Sequence, residues 1–198
     1  DALAKSLQHI QNQTLPTITN FQNTYFALLF DTNFQHQNKE QLELKIKATL
    51  ELAHTYLIQS NTIFITLGSS WVYRHLETNE FVGNCQKIPQ NQFEKILLPI
   101  NHIIENLNQI QTSIKSINHH CNIVFTISPV RHLRDGISEN LLSKSHLIVA
   151  LQSFISQNPQ CYYFPSYEIF NEELRDHRYF ELDLAHPNKL AIDYIFNR

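Results

Sequence analysis

Asn61-Thr62-Ile63-Phe64-Ile65-Thr66-Leu67-Gly68 is a short β-branched and aromatic run closed by a glycine. Its near-continuous apolar character suits a strand buried on both faces, as in a parallel sheet covered by helices. Just upstream, Lys39 to Gln59 reads as a helix, with Leu42, Leu44, Ile46, Leu50, Leu52 and Leu57 on a broad apolar face and Glu and Lys on the other. Nearer the N-terminus, Leu3, Leu7 and Ile10 fall at helical spacing, Thr14 to Asn20 reads as a loop, and Phe21 to Phe34 is aromatic without a clear period.

Downstream, Trp71-Val72-Tyr73 leads into a polar loop through Lys87, and Pro99 opens a helix carrying Ile100, Ile103, Ile104, Leu107, Ile110, Ile114 and Ile117. Ile123 to Ile127 is a second buried-type strand, stopped by Ser128-Pro129. A helix from about Asn140 to Gln157, a third strand at Tyr162-Tyr163-Phe164, a short helix from Asn171 to Asp176 and a last helix from Asn188 to Phe196 complete the chain. Helices alternating with strands are the signature of a doubly wound α/β sheet, and helical crossovers make its strands parallel. Function in such sheets gathers in the loops beyond the carboxyl ends of the strands.

A chain of 198 residues, 42% hydrophobic, suffices for one buried core, so a single domain over 1–198 is expected. With 17% charged residues and a net charge of -3, it has no basic patch for nucleic acid or anionic lipid. No apolar run approaches a membrane span and no signal peptide is recognisable, which makes a cytoplasmic address the default. Cys85, Cys121 and Cys161 are odd in number and far apart, which predicts reduced thiols rather than a zinc site, and nothing calls for a metal or other cofactor. There is no methionine and the first residue is Asp1, which reads as a fragment or a processed chain.

Candidate chemistry centres on Asp183-Leu184-Ala185-His186-Pro187. Pro187 suits the first turn of a helix and disfavours helical geometry at His186, which places that histidine at a loop tip. Asp183, three positions back, can accept a hydrogen bond from Nδ1 and leave Nε2 to take a proton from a nucleophile. The plainer reading is a helix-start Asp beside a surface His. Gly68, directly after a strand, offers a backbone N–H to an oxyanion, or simply ends the strand. Asn84 can add a side-chain donor, or be a turn residue. Arg131 and His132 follow the second strand and suit a substrate carboxylate or phosphate, or a structural ion pair. Ser70, two residues after Gly68, is a candidate substrate contact, but neither it nor Ser69 lies in the Gly-x-Ser-x-Gly elbow that exposes a nucleophile.

Five stretches together carry a resemblance: Thr66 to Tyr73, Asn84 to Pro89, Ser128 to Gly136, Phe164 to Ile169, and Asp183 to Pro187. In order and over nearly the whole chain, they resemble the GSCFA family, related to the SGNH (GDSL-like) hydrolases and acyltransferases. The resemblance implies a flavodoxin-like three-layer α/β/α fold with a parallel sheet, and Asp183 and His186 as acid and base of a Ser-His-Asp triad. It implies an ester substrate, small or carbohydrate-linked. The Gly-Ser-Cys-Phe-Ala block that names the family does not occur here, and Gln86 stands where the family pattern usually has His. The serine of that block is expected upstream, on a first strand lacking from this chain. The resulting open sheet edge predicts association into dimers or larger species. The competing reading is a binding module that has kept the fold and lost catalysis.

Overall fold

The computed structural model describes residues 1–198. In chain order its elements are helix α1 (Ala2–Asn12), strands β1 (Ile18–Phe21), β2 (Thr24–Ala27) and β3 (Gln35–His36), helix α2 (Lys39–Gln59) and strand β4 (Thr62–Leu67). Strands β5 (Trp71–His75), β6 (Glu80–Val82) and β7 (Phe93–Leu97) and helix α3 (Ile100–Ile117) follow. Strand β8 (Asn122–Ile127), helix α4 (Ile137–Gln157), strand β9 (Cys161–Phe164), the single turn α5 (Ser166–Glu168) and helix α6 (Lys189–Phe196) end the chain. They fall into two compact units, one of residues 1–61 and 71–121, the other of 62–70 and 122–198.

The second unit is built on the three apolar runs, which pair in parallel in the order β4-β8-β9. Register sets Ile63, Ile65 and Leu67 beside Ile123, Phe125 and Ile127, so β4 and β8 share one aliphatic and aromatic face. Helix α4 covers that face, with Phe154 edge-on to Phe125 at 5.7 Å. The class is the expected α/β one, and the parallel sheet accords with the three-layer architecture that the resemblance implies. The opposite face differs from a strand buried on both sides: Phe64 is 68% and Tyr162 50% exposed. Beyond β9, Phe170, Leu174 and Ala191 pack with Phe180 and Ile195, fixing α6 to the turns before it.

The first unit holds two small antiparallel sheets, β1-β2-β3 and β6-β5-β7, that periodicity does not reveal. The aromatic stretch from Phe21 is a hairpin whose turn residues Gln22 and Asn23 have φ of 51° and 59°. Both therefore occupy the left-handed region of a primed two-residue turn, and Gln-Asn lacks the Asn-Gly pattern that announces one. The supposed polar loop after Tyr73 likewise contains a hairpin, β5 to β6, with His75 opposite Glu80 and Asn79 at φ 55°. Gly83 is required there, since a Cβ would lie 2.2 Å from the Leu29 carbonyl oxygen. Leu42, Ile46 and Leu50 of α2 pack on Ala27, and Phe26, Leu28, Val82, Ile88 and Phe93 form a second cluster.

Two helix starts also shift. Helix α4 begins at Ile137, three residues before the expected Asn140, because Gly136, at φ 85° and ψ 165°, turns the chain into it. Helix α6 begins after Asn188, whose side chain accepts the Ala191 N–H, and Pro187 instead pairs with Phe180 in a β-bridge outside the helix. No helix is long and apolar enough to cross a membrane.

Candidate active site

The turn from Phe180 to Pro187 is closed locally, as its sequence requires. The Glu181 N–H donates to the His186 carbonyl at 2.8 Å, and Asp183 Oδ1 accepts the backbone N–H groups of Ala185 and His186 at 2.9 and 3.0 Å. Leu184, between them, is held at φ 55°, a left-handed conformation that a branched side chain adopts only under such constraint. The remaining oxygen, Asp183 Oδ2, lies 2.6 Å from His186 Nδ1. Asp183 is held to a pKa of about 2, first by the His186 N–H, then by the Ala185 N–H, then by the imidazole. It is therefore a carboxylate at neutral pH, so Nδ1 of the neutral ring carries the proton and Nε2 presents a lone pair. The His186 side chain is 58% exposed.

Gly68 follows the last ladder pair, Leu67 with Ile127. The Leu67 carbonyl accepts the Ser128 N–H at 2.9 Å, and a planar trans peptide then directs the Gly68 N–H the opposite way, off the outer edge of β4. An added Cβ at Gly68 would meet only His132 Nε2, at 3.7 Å, so close approach by another group, rather than backbone strain, is what a glycine permits here.

Helix α4 holds this loop. Ser143 Oγ accepts the Ser70 N–H at 2.8 Å and lies 3.0 Å from Ser69 Oγ, and Ser70 Oγ donates to the Ser143 carbonyl at 3.0 Å. Lys144 Nζ donates to the Gly68 and Ser128 carbonyls, each at 2.6 Å. Ser70, expected as a substrate contact, is thus corrected to a structural role: it is 1% exposed, with its N–H and hydroxyl both bonded to Ser143. Ser143 and Lys144 were the residues missed. A signal existed, because Lys144 stands three, seven and ten positions before Leu147, Leu151 and Phe154, on the buried stripe of α4.

Arg131 makes no ion pair and contacts neutral groups instead. Its N–H donates to the Ala185 carbonyl at 3.2 Å, its guanidinium to the Leu184 carbonyl at 3.3 Å, and Cζ lies 4.4 Å from the centroid of Phe180. The residue clamps the Asp183–His186 turn onto the end of β8. His132, fixed by its N–H to Asn140 Oδ1 at 2.9 Å, reaches Gly68 from the same segment. Between His132 and Leu184 lies a cavity of about 490 Å³, lined also by Tyr167, Asn171, Ile137 and Leu141. The structure thus gathers Gly68, Arg131, His132 and the Asp183–His186 turn in one unit.

Asn84 belongs to the other unit, where its Oδ1 accepts the Gln86 N–H at 2.7 Å, the turn role of its alternative reading. Gln86 itself, at φ 55°, donates from Nε2 to the Phe30 and Asp31 carbonyls at 3.2 and 3.1 Å. No group of three or more His, Cys, Asp or Glu side chains is placed to hold a metal ion.

The sequence profile of the GSCFA family matches residues 1–198. The chain belongs to the GSCFA family. No curated protein matches it. The GSCFA match runs across both compact units.

Proposed function

We propose that this GSCFA chain carries the acid–base half of an SGNH-type ester hydrolase or acyltransferase. The observation that supports this best is the 2.6 Å contact from His186 Nδ1 to a carboxylate held ionised by two backbone N–H groups. In this reading His186 Nε2 takes the proton of a serine hydroxyl as its oxygen bonds to the ester carbonyl carbon. The carbonyl electron pair moves to the oxygen, which the Gly68 N–H faces. Collapse expels the alcohol oxygen, which takes the proton back from Nε2, and water or an acceptor hydroxyl then removes the acyl group by the same steps in reverse. The serine is that of the Gly-Ser-Cys-Phe-Ala block, which residues 1–198 do not contain.

The substrate reading is a small or carbohydrate-linked ester, bound in the cavity between His132 and Leu184. A protein carrying the block ahead of residue 1 should hydrolyse an aryl acetate, and His186→Ala should lower kcat by a factor on the order of 10³ to 10⁴. Residues 1–198 alone should show no such turnover. Turnover by that chain, abolished by a serine-directed phosphonate, would relocate the nucleophile, and a His186→Ala variant with full kcat would end the reading.

A further inference from the structure

The loops beyond β4 and β8 end in carbonyl groups that no strand pairs, and a single buried amine serves both. Lys144 is 1% exposed, on the face of α4 that packs against the sheet. Its Nζ spans the Gly68 and Ser128 carbonyls at 2.6 Å each, and the Tyr167 ring centroid lies 5.9 Å away. A lysine is rarely buried without a carboxylate, and the partners of Lys144 are two neutral carbonyls. We propose that Lys144 is a positioning residue that ties the carboxyl ends of β4 and β8 together and thereby aims the Gly68 amide.

The peptide geometry explains how. The Gly68 N–H is oriented by the Leu67 carbonyl, which Ser128 holds, and the Gly68 carbonyl is oriented by Lys144, so the two peptide planes flanking Gly68 are fixed, one from the end of β8 and one from α4. The same amine fixes the Ser128 carbonyl, at the start of the segment that carries Arg131 and His132. Gly68, the Asp183–His186 turn that Arg131 clamps, and His132 therefore share one anchor. Burial lowers the Lys144 pKa to about 8.

The bearing on catalysis rests on the hydrolase reading above, whereas the anchor itself does not, and the experiment separates them. In residues 1–198, the carbonyl-carbon NMR resonances of Gly68 and Ser128 should move together as pH is raised through about 8, and in folded Lys144→Met protein they should sit at new positions and no longer titrate. Carbonyl resonances that do not titrate in the wild type, or that are unchanged in folded Lys144→Met, would overturn the anchor. The wild-type titration decides this even if the variant does not fold. In the block-bearing protein, Lys144→Met should lower kcat on the aryl acetate about tenfold or more with KM little changed, the signature of a misaimed transition-state donor. Unaltered kcat there, with His186→Ala inactive, would overturn the positioning role. If His186→Ala is itself fully active, the hydrolase reading fails, and the carbonyl measurement still decides the anchor.

Discussion

At the scale of single residues, the molecule places two ionisable groups in opposite circumstances. Asp183 is solvent-exposed, yet three hydrogen bonds from its own turn keep it a carboxylate. Asp183→Asn keeps an oxygen for the two backbone N–H groups but presents an amide N–H₂ to the ring, so the turn should persist while the imidazole switches to its Nε2–H tautomer. Ring-nitrogen NMR shifts of His186 check this, and unchanged shifts would contradict the tautomer assignment. Lys144 is the reverse case: burial lowers its pKa from 10.5 to about 8.

Below pH about 8 both folded and unfolded chains hold the Lys144 proton, and the folded state bears the full desolvation cost. Between about 8 and 10.5 the unfolded chain binds more protons, so this group's contribution to stability rises with pH and then levels off. The wild type minus Lys144→Met difference in unfolding free energy, followed by denaturant titration across that range, should show the rise. At neutral pH the variant loses two charge-assisted hydrogen bonds of about 1.5–3 kcal/mol each but escapes a penalty of several kcal/mol for burying an ammonium. Because these offset, the variant should remain folded.

At the scale of elements, strand β4 is an unprotected edge. It is an edge strand by the order β4-β8-β9, and Thr62–Leu67 contains no charged residue and no proline, the usual devices against edge pairing. Phe64 lies on its open face, 68% exposed, beside an apolar groove of about 700 Å³ that Phe164, Ile192 and Phe196 also line. Residues 1–198 should therefore associate in a concentration-dependent way, and Phe64→Glu should reduce that association with little loss of stability, since the side chain is already mostly in water. Sedimentation velocity of the two proteins over a range of concentrations checks it; equal behaviour would show that this face takes no part. The turn carrying His186 is better defended, because Arg131 and the Phe180–Pro187 bridge pin it from two sides.

At the scale of the whole molecule, each compact unit is made of two separate stretches, and the chain passes between units at residues 61–62, 70–71 and 121–122. No single cut yields both intact. Residues 122–198 alone keep the His186 turn but lose β4, leaving β8 with an unpaired side although Ile123, Phe125 and Ile127 are fully buried in the complete chain. That fragment should show no cooperative thermal transition by circular dichroism, whereas residues 1–198 should show one; a cooperatively folded fragment would mean β4 is dispensable.

What the sequence alone determined is what short windows of chain can determine. The runs at β4, β8 and β9, the helix α2 and the apolar face of α3 are periodic patterns, and the Asp183–His186 contact spans three residues in one turn, so neighbouring residues dictate them, although Leu44 and Leu52, read onto the apolar face of α2, are exposed. The tertiary structure decided the rest because the partners are distant along the chain. Lys144 meets carbonyls 76 and 16 residues away, and Ser70 meets Ser143 across 73, distances no periodicity encodes. The β1–β2 hairpin was local but silent, since Gln22 and Asn23 adopt positive φ without the glycine that signals it. A lysine on an apolar stripe, and a serine two residues after a strand-ending glycine, acquire their roles only when the sheet brings α4 beneath the ends of its strands.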